Sequence, residues 1–234
     1  MLNILLIEAD NQRSLGGSCM RDIVNMYNAF HSPLSVHNVQ NNHIPIRQTK
    51  VLTINDPPSF LKNDSQPLST YHQAFISFTS RVEKDDYVFM MISGHGYQTP
   101  SNSKDEKDGL DEYIAYDGGI ILDNQFMEFI GQLSTRNPRR IVCLADTCHS
   151  GTMFDIDRYS QRIPSGHVIS LSACNDQQYD SCDISSIGFG GSLTVHLLEI
   201  PDALSFLLEA SEPVIRRAVM SNLYGILNQL GQTP

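Results

Sequence analysis

Positive charge is what this chain lacks most. Lys and Arg number 16 against 26 Asp and Glu, for a formal net charge of −10. That balance argues against a nucleic-acid surface and suits cationic substrates or Ca²⁺. Disulfide chemistry is also poorly provided for, because the five cysteines are odd in number and irregularly spaced. They imply a reducing compartment rather than a cross-linked scaffold. No apolar run approaches the roughly 18 residues of a membrane span. Leu2-Asn3-Ile4-Leu5-Leu6-Ile7 is too short for a signal peptide and lacks a basic lead-in, so it reads as a first buried strand. A cytoplasmic protein with no membrane or nucleic-acid partner is expected. There are no internal repeats, and 234 residues leave room for one domain, 1–234, with a full core.

Two segments concentrate the chemistry that is present. The apolar run Ile141-Val-Cys-Leu-Ala stops abruptly at Asp146-Thr147-Cys148-His149-Ser150-Gly151. A second run, Tyr87-Val-Phe-Met-Met-Ile, stops at Ser93-Gly94-His95-Gly96. Both look like buried strands that deliver reactive side chains to a sheet edge, where function gathers in open α/β sheets. A free thiol is only a few per cent ionised at neutral pH, so a nucleophilic Cys needs a neighbouring base. Imidazole suits the taking and returning of that proton. Alternation along a strand puts Asp146 and Cys148 in one crevice and turns His149 away, which selects His95 as the base. The glycines allow close backbone approach, and the N–H groups of Cys148 and Gly96 are assigned to stabilise an oxyanion.

Strand and helix patterns alternate along the chain. Strands are expected at 2–8, 50–54, 87–92, 140–146 and 167–172. Helices are expected at 15–30, 68–83, 123–134 and around 191–199, 201–210 and 212–230. Asp123 is the expected N-cap of the third helix, and 101–112 the expected exposed acidic loop. The predicted class is α/β, with a mostly parallel central sheet covered by helices on both faces.

A Cys with a His about 50 residues upstream is the caspase order, and the motifs around them closely resemble the metacaspases. Ser93-Gly94-His95-Gly96-Tyr97-Gln98-Thr99 and Asp146-Thr147-Cys148-His149-Ser150-Gly151-Thr152 carry the likeness most strongly. Asp108-Gly109-Leu110-Asp111-Glu112-Tyr113-Ile114, Gly119-Ile120-Ile121-Leu122-Asp123-Asn124, Ser172-Ala173-Cys174-Asn175-Asp176-Gln177-Gln178 and the helix opening at Cys19-Met20-Arg21-Asp22 extend it. The stretch 31–65 resembles no family segment.

The resemblance implies a caspase-like (caspase-hemoglobinase) fold, type I-like, with a larger p20-like part over about 1–162 and a p10-like part over about 163–234. It implies a cysteine endopeptidase using a Cys148–His95 dyad on polypeptides, cutting after Arg or Lys and rejecting Asp. A carboxylate beside a thiolate is otherwise unhelpful, but the family uses such groups to bind the basic P1 side chain. Its pocket carboxylates map onto Asp146 and Asp22, with Ser93 nearby. For Asp22, an ordinary first-turn carboxylate at a helix start is the competing reading. The family's Ca²⁺ ligands map onto Asp111, Asp123, Asn124 and Asp155, and Asn124 stands where a second Asp is usual, which weakens the site. Zinc is not expected, since His95 and Cys148 fall short of three or four ligands.

Self-cleavage after a basic residue points to Arg158 or Arg162, ahead of Lys104 and Lys107; no Lys or Arg occurs between Arg162 and Arg216. The enzyme is expected to act as a monomer. No prodomain is expected ahead of the first strand, and Gly231-Gln232-Thr233-Pro234 resembles the lead into a final family strand. Two alternatives remain open. One is a catalytically silent caspase-fold scaffold; the other is a legumain-like or caspase-like relative with a different P1 preference.

Overall fold

The computed structural model describes residues 1–11, 15, 17–32, 44–101, 109–151, 153–154, 168–174, 182–185, 188–200 and 202–210, with backbone alone over 182–190. Self-cleavage candidates Arg158 and Arg162, the metal candidate Asp155 and the expected helix 212–230 lie outside them.

Six strands form the central sheet: β1 (Leu2–Ala9), β2 (Ile46–Thr53), β3 (Ser65–Pro67), β4 (Tyr87–Gly94), β8 (Arg140–Thr147) and β9 (Val168–Ser172). Their order is β3-β2-β1-β4-β8-β9, and every pairing is parallel. β1 and β4 are buried at every position, as strands covered on both faces must be. Leu5, Ile7, Met90, Ile92, Ile141 and Cys143 face helices α2 (Tyr71–Arg81) and α3 (Asp123–Ser134). The residues that alternate with them point to the other face, where Ile4, Leu6, Phe89, Met91, Val142 and Leu144 meet α1 (Ser18–His31), α4 (Ser192–Glu199) and α5 (Ala203–Glu209). The expected α/β class, with a parallel sheet flanked on both faces, is the one observed.

Three departures from the expected elements have physical causes. The expected loop 101–112 ends early, because Leu110–Tyr116 is strand β6, paired antiparallel with β5 (Gly96–Pro100) and β7 (Gly119–Leu122). Its inward position is filled by Glu112, which is buried and accepts a 2.9 Å hydrogen bond from Gln98 Nε2; a charged residue there hides the alternation. A second antiparallel ribbon, β10 (Cys182–Ser185) with β11 (Gly188–Gly191), precedes α4. At α3 the N-cap is Leu122, with Gln125 Oε1 accepting the Leu122 N–H at 2.9 Å, and Asp123 is the first helical residue instead of the cap.

Candidate active site

Register builds the site. Along the parallel ladder, Glu8, Ser93 and Asp146 lie side by side on β1, β4 and β8, followed by Ala9, Gly94 and Thr147. The next residue of each strand is Asp10, His95 and Cys148, so these three leave adjacent strand ends in one row, at the inter-strand spacing of about 4.8 Å. Gly94 permits this closeness, since a Cβ there would lie 2.6 Å from the Ala9 carbonyl oxygen. At Gly96 a Cβ would overlap the Cys148 carbonyl oxygen, so the His loop and the Cys loop are in backbone contact. His149 turns the chain away through a left-handed φ of 50°, a conformation uncommon outside glycine. Ser150 then ties this loop to the neighbouring segment: its Oγ accepts the Cys174 N–H at 3.1 Å and donates to the Cys174 carbonyl at 3.3 Å. The Ser172-Ala173-Cys174 motif therefore braces the nucleophile loop.

One crevice is lined by His95, Cys148, Asp22, Ser93, Asp146 and Gly191, among others. Five of the residues singled out in the sequence thus come together. Asp22 lies inside α1 and not in its first turn, which has no acidic residue, and it is completely buried. The helix-start reading of Asp22 is excluded. Its Oδ2 accepts the Ser93 hydroxyl at 2.7 Å, and its two oxygens share the Gly191 N–H at 2.9 and 3.0 Å. Burial first, and then the charge of Asp146, push the Asp22 carboxyl from 3.8 up to about 7 against the opposing pull of Ser93, Gly191 and Arg21. Asp146 divides its work. Oδ2 accepts the N–H and the hydroxyl of Thr194 in the first turn of α4, capping that helix. Oδ1 is buried and has no hydrogen-bond partner among the described residues.

Gly191, Thr194 and Asp10 escaped the sequence reading. Gly188-Phe189-Gly190-Gly191 before a helix was the available signal for the first two. A Cβ on Gly191 would lie 2.6 Å from Asp146 Oδ2, so only glycine lets the pocket close. Asp10 carries no sequence signal beyond following a strand.

The Ca²⁺ set is assembled less well. Asn124 Nδ2 approaches Asp111 Oδ1 at 3.5 Å, while Asp123 is buried and its Oδ1 accepts the Asn124 N–H. Among the described residues no group of three or more His, Cys, Asp or Glu side chains is placed to hold a metal. Ca²⁺ takes six to eight oxygens, so these residues alone do not make a cage.

An imidazole and a thiol leave neighbouring strand ends beside two buried carboxylates of one crevice, an arrangement that cysteine-nucleophile chemistry can use. Comparison with known proteins agrees. Residues 5–157 match the model of the metacaspase, peptidase C14 domain, and the chain belongs to that family. It is 29% identical over 152 residues to metacaspase-1A of Aspergillus oryzae, covering 62% of this chain and 33% of that protein. To metacaspase-1 of Plasmodium falciparum it is 26% identical over 145 residues, covering 54% and 23%. The chain therefore spans a third or less of these relatives' length. A crystal structure of a protein from Geobacter sulfurreducens shares the fold, with a TM-score of 0.51 and 18% identity over 86% of this chain and 82% of that one.

Proposed function

We propose that this chain is a cysteine endopeptidase that cleaves polypeptides after Arg or Lys. His95 takes the Cys148 thiol proton as sulfur attacks the scissile carbonyl carbon. The N–H groups of Cys148 and Gly96 receive the developing oxyanion. His95 then returns the proton to the leaving amine, and water releases the acyl group from sulfur.

The observation that carries the P1 preference is the orphaned Oδ1 of Asp146, buried in the crevice that also holds Asp22, Cys148 and His95. An unpaired buried carboxylate oxygen is costly unless something cationic meets it. An Arg or Lys side chain supplies that cation and relieves the repulsion between the two carboxylates. An Asp side chain would add a third negative charge.

Fluorogenic peptides with P1 Arg, Lys, Asp and Asn, measured with EGTA or millimolar Ca²⁺ beside Cys148→Ala, test this reading. Turnover of Arg and Lys alone, abolished in Cys148→Ala, is expected. Cleavage after Asp or Asn would overturn the pocket assignment, and turnover that survives in Cys148→Ala would overturn the nucleophile. Silence of the folded chain on all four peptides would favour the scaffold reading. Ca²⁺ stimulation, which family likeness implies, would require ligands beyond the described residues.

A further inference from the structure

The strand register sets three side chains in a row, of which the dyad uses two. We propose that Asp10 is the positioning residue of the reaction. It holds His95 through Nε2 so that Nδ1 is the nitrogen that exchanges the proton with Cys148. The inference rests on the peptidase reading above.

Asp10 Oδ1 lies 3.3 Å from His95 Nε2, and Asp10 is 3% exposed. That separation is long for a charged hydrogen bond, as resting catalytic contacts commonly are before substrate tightens them. Among the described residues Oδ1 accepts no hydrogen bond, the imidazole included in this resting geometry, so a small turn of the ring toward Asp10 would give a buried carboxylate oxygen the donor it lacks. The backbone beneath Asp10 is held on both sides. Glu8 Oε1 accepts the Asp10 N–H at 3.0 Å, and Asn55 Nδ2 donates to the Asp10 carbonyl at 3.2 Å. Glu8 is itself fully buried and accepts from the Thr53 hydroxyl, the Ile54 and Asn55 N–H groups and Asn55 Nδ2. His95 is anchored to the same strand end, its N–H donating to the Ala9 carbonyl at 3.2 Å. The end of β1 therefore holds the His95 backbone and sets a buried carboxylate beside its ring.

Neutral imidazole carries one N–H, and the partner of that N–H decides which nitrogen keeps a lone pair. With Nε2–H directed at Asp10, the Nδ1 lone pair takes the proton from Cys148 as the S–C bond forms. Nδ1–H then gives it to the amine as the C–N bond breaks. Asp10 exchanges no proton; it fixes the tautomer and supports the imidazolium between the two transfers.

The test compares wild type, Asp10→Asn and Asp10→Ala as full chains with melting curves recorded. Two rates are read: turnover of a P1-Arg peptide, and alkylation of Cys148 by iodoacetamide, taken as the difference from Cys148→Ala. In the variants kcat should fall about 10-fold or more with KM changed less than about twofold, and alkylation should slow in parallel. Unchanged kcat and alkylation in folded variants would overturn the proposal, as would a rise in KM at constant kcat. Asp10→Asn keeps the volume and carries the test if Asp10→Ala does not fold. Should wild type cleave no peptide, the peptidase reading fails alone, and the alkylation rates still decide the role of Asp10.

Discussion

Asp22 lies buried beside a second carboxylate, so its ionisation is set by its surroundings. Its carboxyl stands at about 7, raised by burial and then by Asp146, and under the proposed function a P1 cation binds the ionised form. KM for a P1-Arg peptide should therefore fall about tenfold per pH unit as pH rises toward 7 and level off above it. In Asp22→Asn that slope should vanish and kcat/KM should drop about 30-fold or more, because one partner of a desolvated charge pair is gone. Steady-state kinetics from pH 5 to 8.5 check both. Stability carries the opposite sign. The native carboxyl keeps a proton that an unfolded one, near 3.8, releases, so the unliganded protein loses stability as pH rises between about 4 and 7. Melting temperatures with and without a P1-Arg inhibitor should diverge as pH increases.

At the scale of elements, α4 shapes the crevice from a distance in sequence. Its first turn fastens Asp146 through Thr194, and the glycine just before it fastens Asp22. Gly191→Ala pushes a methyl group into Asp146 and should lower kcat/KM for basic peptides about 10-fold or more, while the alkylation rate of Cys148 stays within about twofold. That split separates the pocket from the nucleophile. The same elements show what was legible beforehand. β4 and β8 announced themselves because continuous apolar runs ended in polar, glycine-rich motifs, and with them His95, Ser93, Asp146 and Cys148. Asp22 required the family likeness, since one acid in an amphipathic helix has no signal of its own. The meander β5–β7 was hidden by the buried Glu112. Asp10, Gly191 and Thr194 acquire meaning only from strand register and from contacts spanning much of the chain.

Across the whole molecule, charge is managed at both ends of the sheet. The site end confines the buried carboxylates of Glu8, Asp10, Asp22 and Asp146. At the other end Asp86, 3% exposed, accepts from the Met1 ammonium at 2.8 Å, Asn3 Nδ2 at 3.0 Å and Arg47 Nε at 2.9 Å. Burial would raise the Asp86 carboxyl, but the ammonium, the Glu83 N–H, Asn3 and Arg47 outweigh it and hold the group down at about 2. A depressed carboxyl stabilises the fold above about 3.8, and that contribution is lost as pH falls through about 2. Asp86→Asn should cost about 1.5–3 kcal/mol at neutral pH, from lost charged hydrogen bonds. Its urea-unfolding free energy should approach that of wild type at pH 2. With Asp22 acting from the alkaline side, these two groups place greatest unliganded stability on the acid side of neutrality.

The row Asp10, His95, Cys148 also follows the order of synthesis. A ribosome delivers β1, then β4, then Cys148 just past β8, and only later Gly191 and Thr194, which fasten Asp22 and Asp146. During translation the chain therefore possesses a thiol before it possesses a means of gripping anything to cut.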